Sequence, residues 1–141
     1  MTLTPHIYLS FDGRCEEAFT FYERCLGGRI VSSFPYGNSP LASTAPPGWT
    51  DKWMHATLTV GNTIIAGSDV APDQYERPRG FTVNISVTEP EDAERVFQAL
   101  AENADVKMPI QETFWSVRFG TLVDQFGVPW SINCEQMPAT P

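Results

Sequence analysis

Tyr8-Leu9-Ser10-Phe11, a break at Asp12-Gly13, then Glu16-Glu17-Ala18-Phe19-Thr20-Phe21-Tyr22-Glu23-Arg24-Cys25-Leu26 closed by Gly27-Gly28 read as a strand, a turn and a helix. Half a chain later the plan returns. Asn84-Ile85-Ser86-Val87 is the strand, Glu89-Pro90 the break, and Glu91-Asp92-Ala93-Glu94-Arg95-Val96-Phe97-Gln98-Ala99-Leu100 the helix. Ala18, Phe21, Tyr22 and Cys25 follow the i, i+3, i+4, i+7 spacing of one buried helical face, and Ala93, Val96, Phe97 and Leu100 do the same in the second helix. The acidic pairs Glu16-Glu17 and Glu91-Asp92 suit helix N-termini, where the macrodipole favours anions, and Pro90 suits a first helical position. Three strand-like runs follow each helix. The expected fold is α+β: two repeated βαβββ modules, about 5–70 and 80–135, forming a curved, partly open mixed sheet around a cavity, with helices on the outer face and all of 1–141 one domain.

The 141 residues suit one compact unit, and 42% apolar content with nine Phe and four Trp supplies a core. Nine Lys plus Arg against 17 Asp plus Glu give a net charge of −8. No basic stripe could neutralise a phosphate backbone, so nucleic acid and anionic membrane surfaces are not expected partners. The longest apolar runs are far shorter than a membrane-spanning helix, and Met1-Thr2-Leu3-Thr4-Pro5-His6 lacks the basic and apolar regions of a secretory leader. A cytoplasmic location is expected. Cys15, Cys25 and Cys134 are odd in number, without C-x-x-C spacing, and are expected as free thiols. Cys15 starts the first helix, where a thiolate can be stabilised; the expectation is nonetheless a small residue without chemistry. Cys25 is expected in the core.

Residues 35–52 are rich in Pro, Gly, Ser and Thr without periodicity and read as a long loop, either a lid or partner-contacting segment or a disordered one. A second loop, 68–80, bridges the modules. Trp53–Val60 and Thr63–Ser68 around Gly61-Asn62 form a hairpin. Val117–Val123 and Pro129–Cys134 around Asp124-Gln125-Phe126-Gly127 form its counterpart, and 136–141 read as a frayed tail.

Strand alternation divides these residues between two faces. Ile7, Leu9 and Phe11 oppose His6, Tyr8 and Ser10. Met54, Ala56, Leu58 and Val60 oppose Trp53, His55, Thr57 and Thr59. Phe81, Val83, Ile85 and Val87 oppose Thr82, Asn84 and Ser86, while Trp130, Ile132 and Cys134 oppose Ser131, Asn133 and Glu135. The apolar sets belong under the helices. The other sets make a face of His, Tyr, Thr, Asn, Ser and Trp suited to a moderately polar small molecule, a solvated surface or a dimer contact. His6 and His55, the two imidazoles, both fall on it. A two-His, one-carboxylate metal site would need both together with a third ligand. Asp69, Glu112 and Glu135 lie near strand ends, where solvated or turn-capping roles are expected. No nucleophile elbow, phosphate-binding loop, dinucleotide fingerprint or H-E-x-x-H helix is present.

Tyr8-Leu9-Ser10-Phe11-Asp12-Gly13, Glu16-Glu17-Ala18 leading to Phe21-Tyr22 and Leu26-Gly27-Gly28, Met54-His55-Ala56, Ser68-Asp69, Thr113-Phe114-Trp115 and Asp124-Gln125-Phe126-Gly127-Val128-Pro129-Trp130-Ser131-Ile132-Asn133 occur in an order covering nearly the whole chain. In this order they resemble the PhnB-like branch of the vicinal oxygen chelate superfamily, the glyoxalase, bleomycin-resistance and dioxygenase fold. Gln125 departs from the branch's D-P-F-G. The resemblance implies a divalent metal held from the first and last strands of each module; the corresponding positions fall near His6, at Thr82, and near Gly67 and Ser131, of which His6 alone is a plausible ligand. It thus implies the fold and a cavity while weakening the metalloenzyme reading.

The expected function is binding of a small organic molecule in a sheet-lined cavity, by a homodimer, with no bound metal or cofactor and with His6, Tyr8, His55, Thr82, Trp115 and Ser131 lining the site. No catalytic residue is assigned. The alternative is a divalent-metal-dependent lyase, isomerase, dioxygenase or thiol transferase in which His6 and His55 bind a metal with Glu112 or Glu135. A third reading assigns the polar face to dimerisation.

Overall fold

The computed structural model describes residues 1–135. The chain divides into two compact units, Met1–Glu76 and a second beginning at Arg77. The first unit contains β1 (Ile7–Phe11), α1 (Cys15–Leu26), β2 (Arg29–Pro35), β3 (Trp53–Val60) and β4 (Thr63–Asp69). The second repeats it with β5 (Val83–Val87), α2 (Pro90–Leu100), β6 (Asp105–Gln111), β7 (Arg118–Val123) and β8 (Pro129–Cys134). The expected βαβββ repeat is present, with the strands shared between two four-stranded mixed sheets of order β1-β4-β3-β2 and β5-β8-β7-β6. In each, the first strand runs parallel to the last and the other pairs are antiparallel. The tail read over 136–141 lies outside the described residues.

Each helix covers one face of its sheet. The α1 residues Cys15, Ala18, Phe19, Phe21, Tyr22 and Cys25 are buried, as are Ala93, Val96, Phe97 and Leu100 of α2. Phe19 is an addition to the stripe read from the sequence. The reason lies in the sheet: a Cβ on Gly67 of β4 would come within 3.0 Å of the Phe19 ring, and one on Gly120 of β7 within 2.7 Å of the Phe97 ring. Each module therefore uses a strand glycine to let a helix phenylalanine lie against the backbone. Gly27 ends α1 in the left-handed region at φ 68°, donating its N–H to the Glu23 carbonyl, a conformation glycine adopts without a Cβ penalty.

Two buried aspartates tie strands to turns. Asp69, at the end of β4, accepts from the N–H groups of Gly13 (2.9 Å), Cys15 (2.8 Å) and Trp53 (3.1 Å). It thereby caps α1 from across the sheet, since Arg14 at the N-cap makes no side-chain cap. The reading of Asp69 as solvated is corrected by its 1% exposure, which leaves the capping reading. Asp124 accepts from the N–H groups of Phe126 (2.8 Å) and Val128 (3.0 Å) and from Trp130 Nε1 (2.8 Å), fixing the β7–β8 turn.

Replacing Asp124 with Ala orphans three buried donors and should cost about 3 kcal/mol, read as a lower urea midpoint at unchanged slope. Burial raises the Asp69 pKa from 3.8, and the N–H groups of Cys15, Trp53 and Gly13, with the Lys52 charge, pull it back. An acid with a raised folded pKa contributes stability that is fully present below its unfolded value and is lost as pH rises through the folded one. Lowering the pH from neutral toward 3.8 should therefore move the stability gap between wild type and Asp69→Asn in the wild type's favour. A gap that moves the other way would mean that the N–H partners outweigh burial.

Candidate functional site

On the helix-free face of the first sheet, the register aligns Tyr8, Ala66, Thr57 and Ser32 in one row across the strands. In the next row Ser10 pairs with Ser68, and His55 with Phe34. The small side chains of Ala66 and Ser68 on β4 leave room for Tyr8 of β1 and His55 of β3 to meet above them. The Tyr8 hydroxyl lies 3.1 Å from His55 Nδ1, and His55 Nε2 lies 3.2 Å from Thr57 Oγ1. Both imidazole nitrogens are thus engaged by hydroxyls. The Tyr8 and Phe34 rings flank that of His55, with centroids at 5.7 and 6.3 Å. Tyr8 and Phe34 are 50% and 53% exposed, so a large part of each ring faces solvent.

The equivalent face of the second unit carries a different chain. Thr82 Oγ1 is 2.9 Å from Ser131 Oγ, which donates to Asn84 Oδ1 at 2.8 Å, while Asn84 Nδ2 donates to Ser86 Oγ at 3.1 Å. Either hydroxyl can be the donor between Thr82 and Ser131. Trp115 lies between β6 and β7, 44% exposed, its ring 5.5 Å from Phe119 and 4.7 Å from Phe114. Ser131 and Asn133 are buried rather than open. Ser116 Oγ, 2.6 Å from Asn133 Oδ1 and 2.8 Å from the Cys134 carbonyl, supplies a polar partner there.

Of the residues selected from the sequence, Tyr8 is brought onto His55, and Thr82 onto Ser131. His6 stands apart from the Tyr8 chain, exposed before β1, with Nδ1 3.3 Å from the Thr4 carbonyl. Thr57 and Asn84, placed on the polar face by alternation but not selected, complete the two chains. Phe34 is a further member of the face, in a strand where register shifts at Ile30/Ser32 and Phe34/Pro35 break the period of two.

The metal positions implied by the resemblance do not fit a metal. Tyr8 pairs with Ala66 as Asn84 pairs with Ser131, so Ala66, one residue from Gly67, is the counterpart of Ser131. A Cβ on Gly67 would point at Phe19 on the helix side. At these positions the first unit carries an imidazole and a methyl, and the second carries two mutually bonded hydroxyls. Glu112 and Glu135 are exposed, and among the described residues no group of three or more His, Cys, Asp or Glu side chains could hold a metal ion.

The loop over 35–52 is zipped at its ends: the Tyr36 N–H donates to the Lys52 carbonyl and that of Gly37 to Thr50, both at 2.9 Å. The Tyr36 hydroxyl donates to the Asp69 carbonyl at 2.7 Å. With the start of α1 it borders an open pocket of about 270 Å³ lined by Glu16, Glu17, Asp51, Lys52 and Asp69 with Gly13 and Gly48. Four carboxyl groups against one lysine make it unsuited to anions. The Cys15 thiol is fully buried, and burial, with Asp69 and Glu16 beside it, pushes its pKa far up, so no thiolate forms at neutral pH. Cys25 and Cys134 are also buried, and neither is in a disulfide. A thiol reagent should therefore label none of the three cysteines in the native protein and all of them in denaturant.

The Glyoxalase/Bleomycin resistance protein/Dioxygenase superfamily model matches residues 5–132. Protein YjdN of Escherichia coli (strain K12) is 35% identical over 148 residues, covering 99% of both chains. The crystal structure of protein PA1353 from Pseudomonas aeruginosa is 43% identical, covers 96% of this chain and 100% of that one, and superposes with a TM-score of 0.87. A PhnB protein from Bacillus cereus, described as a putative 3-demethylubiquinone-9 3-methyltransferase, is 25% identical with a TM-score of 0.80, covering 94% and 99% of the two chains. No helix among the described residues is long and apolar enough to cross a membrane. The repeat, the motif order and these matches agree: the chain belongs to the glyoxalase/bleomycin resistance protein/dioxygenase superfamily, in its PhnB-like branch.

Proposed function

We propose that this protein binds a small organic molecule on the helix-free faces of its sheets, with no resident metal, and works as a homodimer. The observation that carries the reading is the Tyr8–His55–Thr57 chain, in which an imidazole with both nitrogens engaged holds the Tyr8 phenol on an open face beside the exposed Phe34 ring. Such a chain can run in either direction: with Nε2 protonated Tyr8 donates to His55, and with Nδ1 protonated it accepts. The Tyr8 hydroxyl can thus meet either a donor or an acceptor on a ligand. Thr82 and Trp115 supply the corresponding polar and aromatic groups in the second unit, with Ser131 buried as the partner of Thr82. The methyltransferase description of the Bacillus cereus neighbour has no counterpart in a glycine-rich nucleotide loop here. The metal-free reading is supported by the donor set at His6, Thr82, Ala66 and Ser131, which falls short of the three protein ligands that catalytic divalent sites generally keep. The homodimer is supported by apolar side chains left open, Phe114 at 97% and Val106 at 40% exposure.

A thermal-shift screen of small organic molecules should yield stabilising compounds whose effect is reduced in Tyr8→Phe and abolished in His55→Ala, while His6→Ala responds as wild type. Equal stabilisation of all four proteins would place binding elsewhere. Elemental analysis of untagged protein should find metal well below one ion per chain. A near-stoichiometric ion lost in His6→Ala would instead establish the metalloenzyme reading. Light scattering should give the mass of two chains.

A further inference from the structure

The face around Tyr8 and His55 is notable for its lack of charge. Its two inner rows contain no Asp, Glu, Lys or Arg, and the titrating side chains on them are Tyr8 and His55. The one cation that the register brings to this side, Arg29, pairs with Thr59 at the outer end of edge strand β2. Asp69, the carboxylate at the end of β4, points to the other side, where its oxygens take the Gly13, Cys15 and Trp53 N–H groups. An ionised ligand lying on these rows would give up part of its water without gaining an opposite charge, which disfavours it against a neutral one. Hydroxyls and an imidazole, by contrast, satisfy uncharged donors and acceptors. The exposed rings of Tyr8 and Phe34, with His55 between them, offer surface against which a planar apolar group can stack.

We infer that the ligand of the first unit's face is an uncharged aromatic molecule that carries a hydroxyl or carbonyl hydrogen-bonded to Tyr8, its ring lying against Tyr8 and Phe34. This rests on the reading that the helix-free face binds a small molecule, and adds the chemical class of the ligand. Phosphonates, carboxylates and amines are thereby disfavoured. Adding a cation at Ser32, which shares a row with Tyr8 and Thr57, should reverse the preference for neutral over anionic ligands.

The test uses three probes with one ring system: 2-naphthol, 2-naphthoate and 2-naphthylmethylammonium, titrated at about pH 8, where the probes are neutral, anionic and cationic. Binding is followed through the NMR signals of His55 and Tyr8. 2-Naphthol should move both signals and bind at least about tenfold more tightly than either ion, a difference of about 1.4 kcal/mol. In Ser32→Lys the affinity for naphthoate should rise at the same signals. Naphthoate or the ammonium ion binding to wild type as tightly as naphthol, at these signals, would overturn the inference while leaving the face as the binding site. If none of the probes moves either signal, the assigned ligand class is wrong, and the binding role of the face is then judged by the response of Tyr8→Phe and His55→Ala to compounds found in the thermal-shift screen.

Discussion

Each four-stranded sheet has two faces and one helix, and the period of two along a strand turns that shortage into the main constraint on the molecule. Whatever alternates toward the helix must be apolar and closely packed: Leu9, Phe11, Ala56 and Leu58 in the first unit, Trp130 and Ile132 in the second are buried to 2% exposure or less. What alternates away carries polar or small side chains, exposed at Tyr8 and Asn84 and buried at Ala66, Ser68, Ser131 and Asn133. The strand glycines Gly67 and Gly120 tighten this arrangement, since each lets a phenylalanine of the covering helix approach the backbone closely. A one-residue slip in any strand would exchange the two sets. The contrast between Gly67, facing Phe19, and Ala66, lying below Tyr8 and His55, shows how sharply the faces are divided.

The aspartates at the strand ends make that division rigid. Asp69 joins the end of β4 to the start of α1 and the start of β3, the strand that carries His55 and Thr57. Tyr36 adds the loop ends through the Asp69 carbonyl. Asp124 does comparable work at the turn before β8, the strand that carries Ser131. In both units the polar face is therefore held from its opposite side, through backbone donors that a carboxylate saturates. Binding side chains placed on strands anchored in this way keep their spacing better than side chains on loops.

Much of this was legible in the sequence because it is periodic. The helix stripes, the Gly61-Asn62 hairpin and the assignment of Tyr8, His55 and Ser131 to the polar faces all follow from spacing alone. The parts that escaped depend on register between strands distant in sequence. Nothing local in Asp69 says that its carboxyl will cap a helix 54 residues earlier. The bulges of β2 hid Phe34, whose strand parity could not be counted through them. His6 and Tyr8 share a parity, yet only Tyr8 stands opposite the small residues of β4 that let it reach β3. The same register sets Ala66, the neighbour of Gly67, opposite Tyr8.

The family supplies a fold on which many chemistries are built, so the reading of this member rests on its own side chains. Those point to the open face at Tyr8 and His55 rather than to the acidic pocket by the start of α1, where Asp69 is taken up by backbone N–H groups and Glu17 by Arg14. A crystal structure of the protein with the most stabilising organic compound tests this most directly. The account predicts the compound on the helix-free face of the first sheet, within hydrogen-bond distance of the Tyr8 hydroxyl. A compound seated instead among Glu16, Glu17, Asp51 and Lys52, with the Tyr8–His55–Thr57 chain untouched, would contradict it.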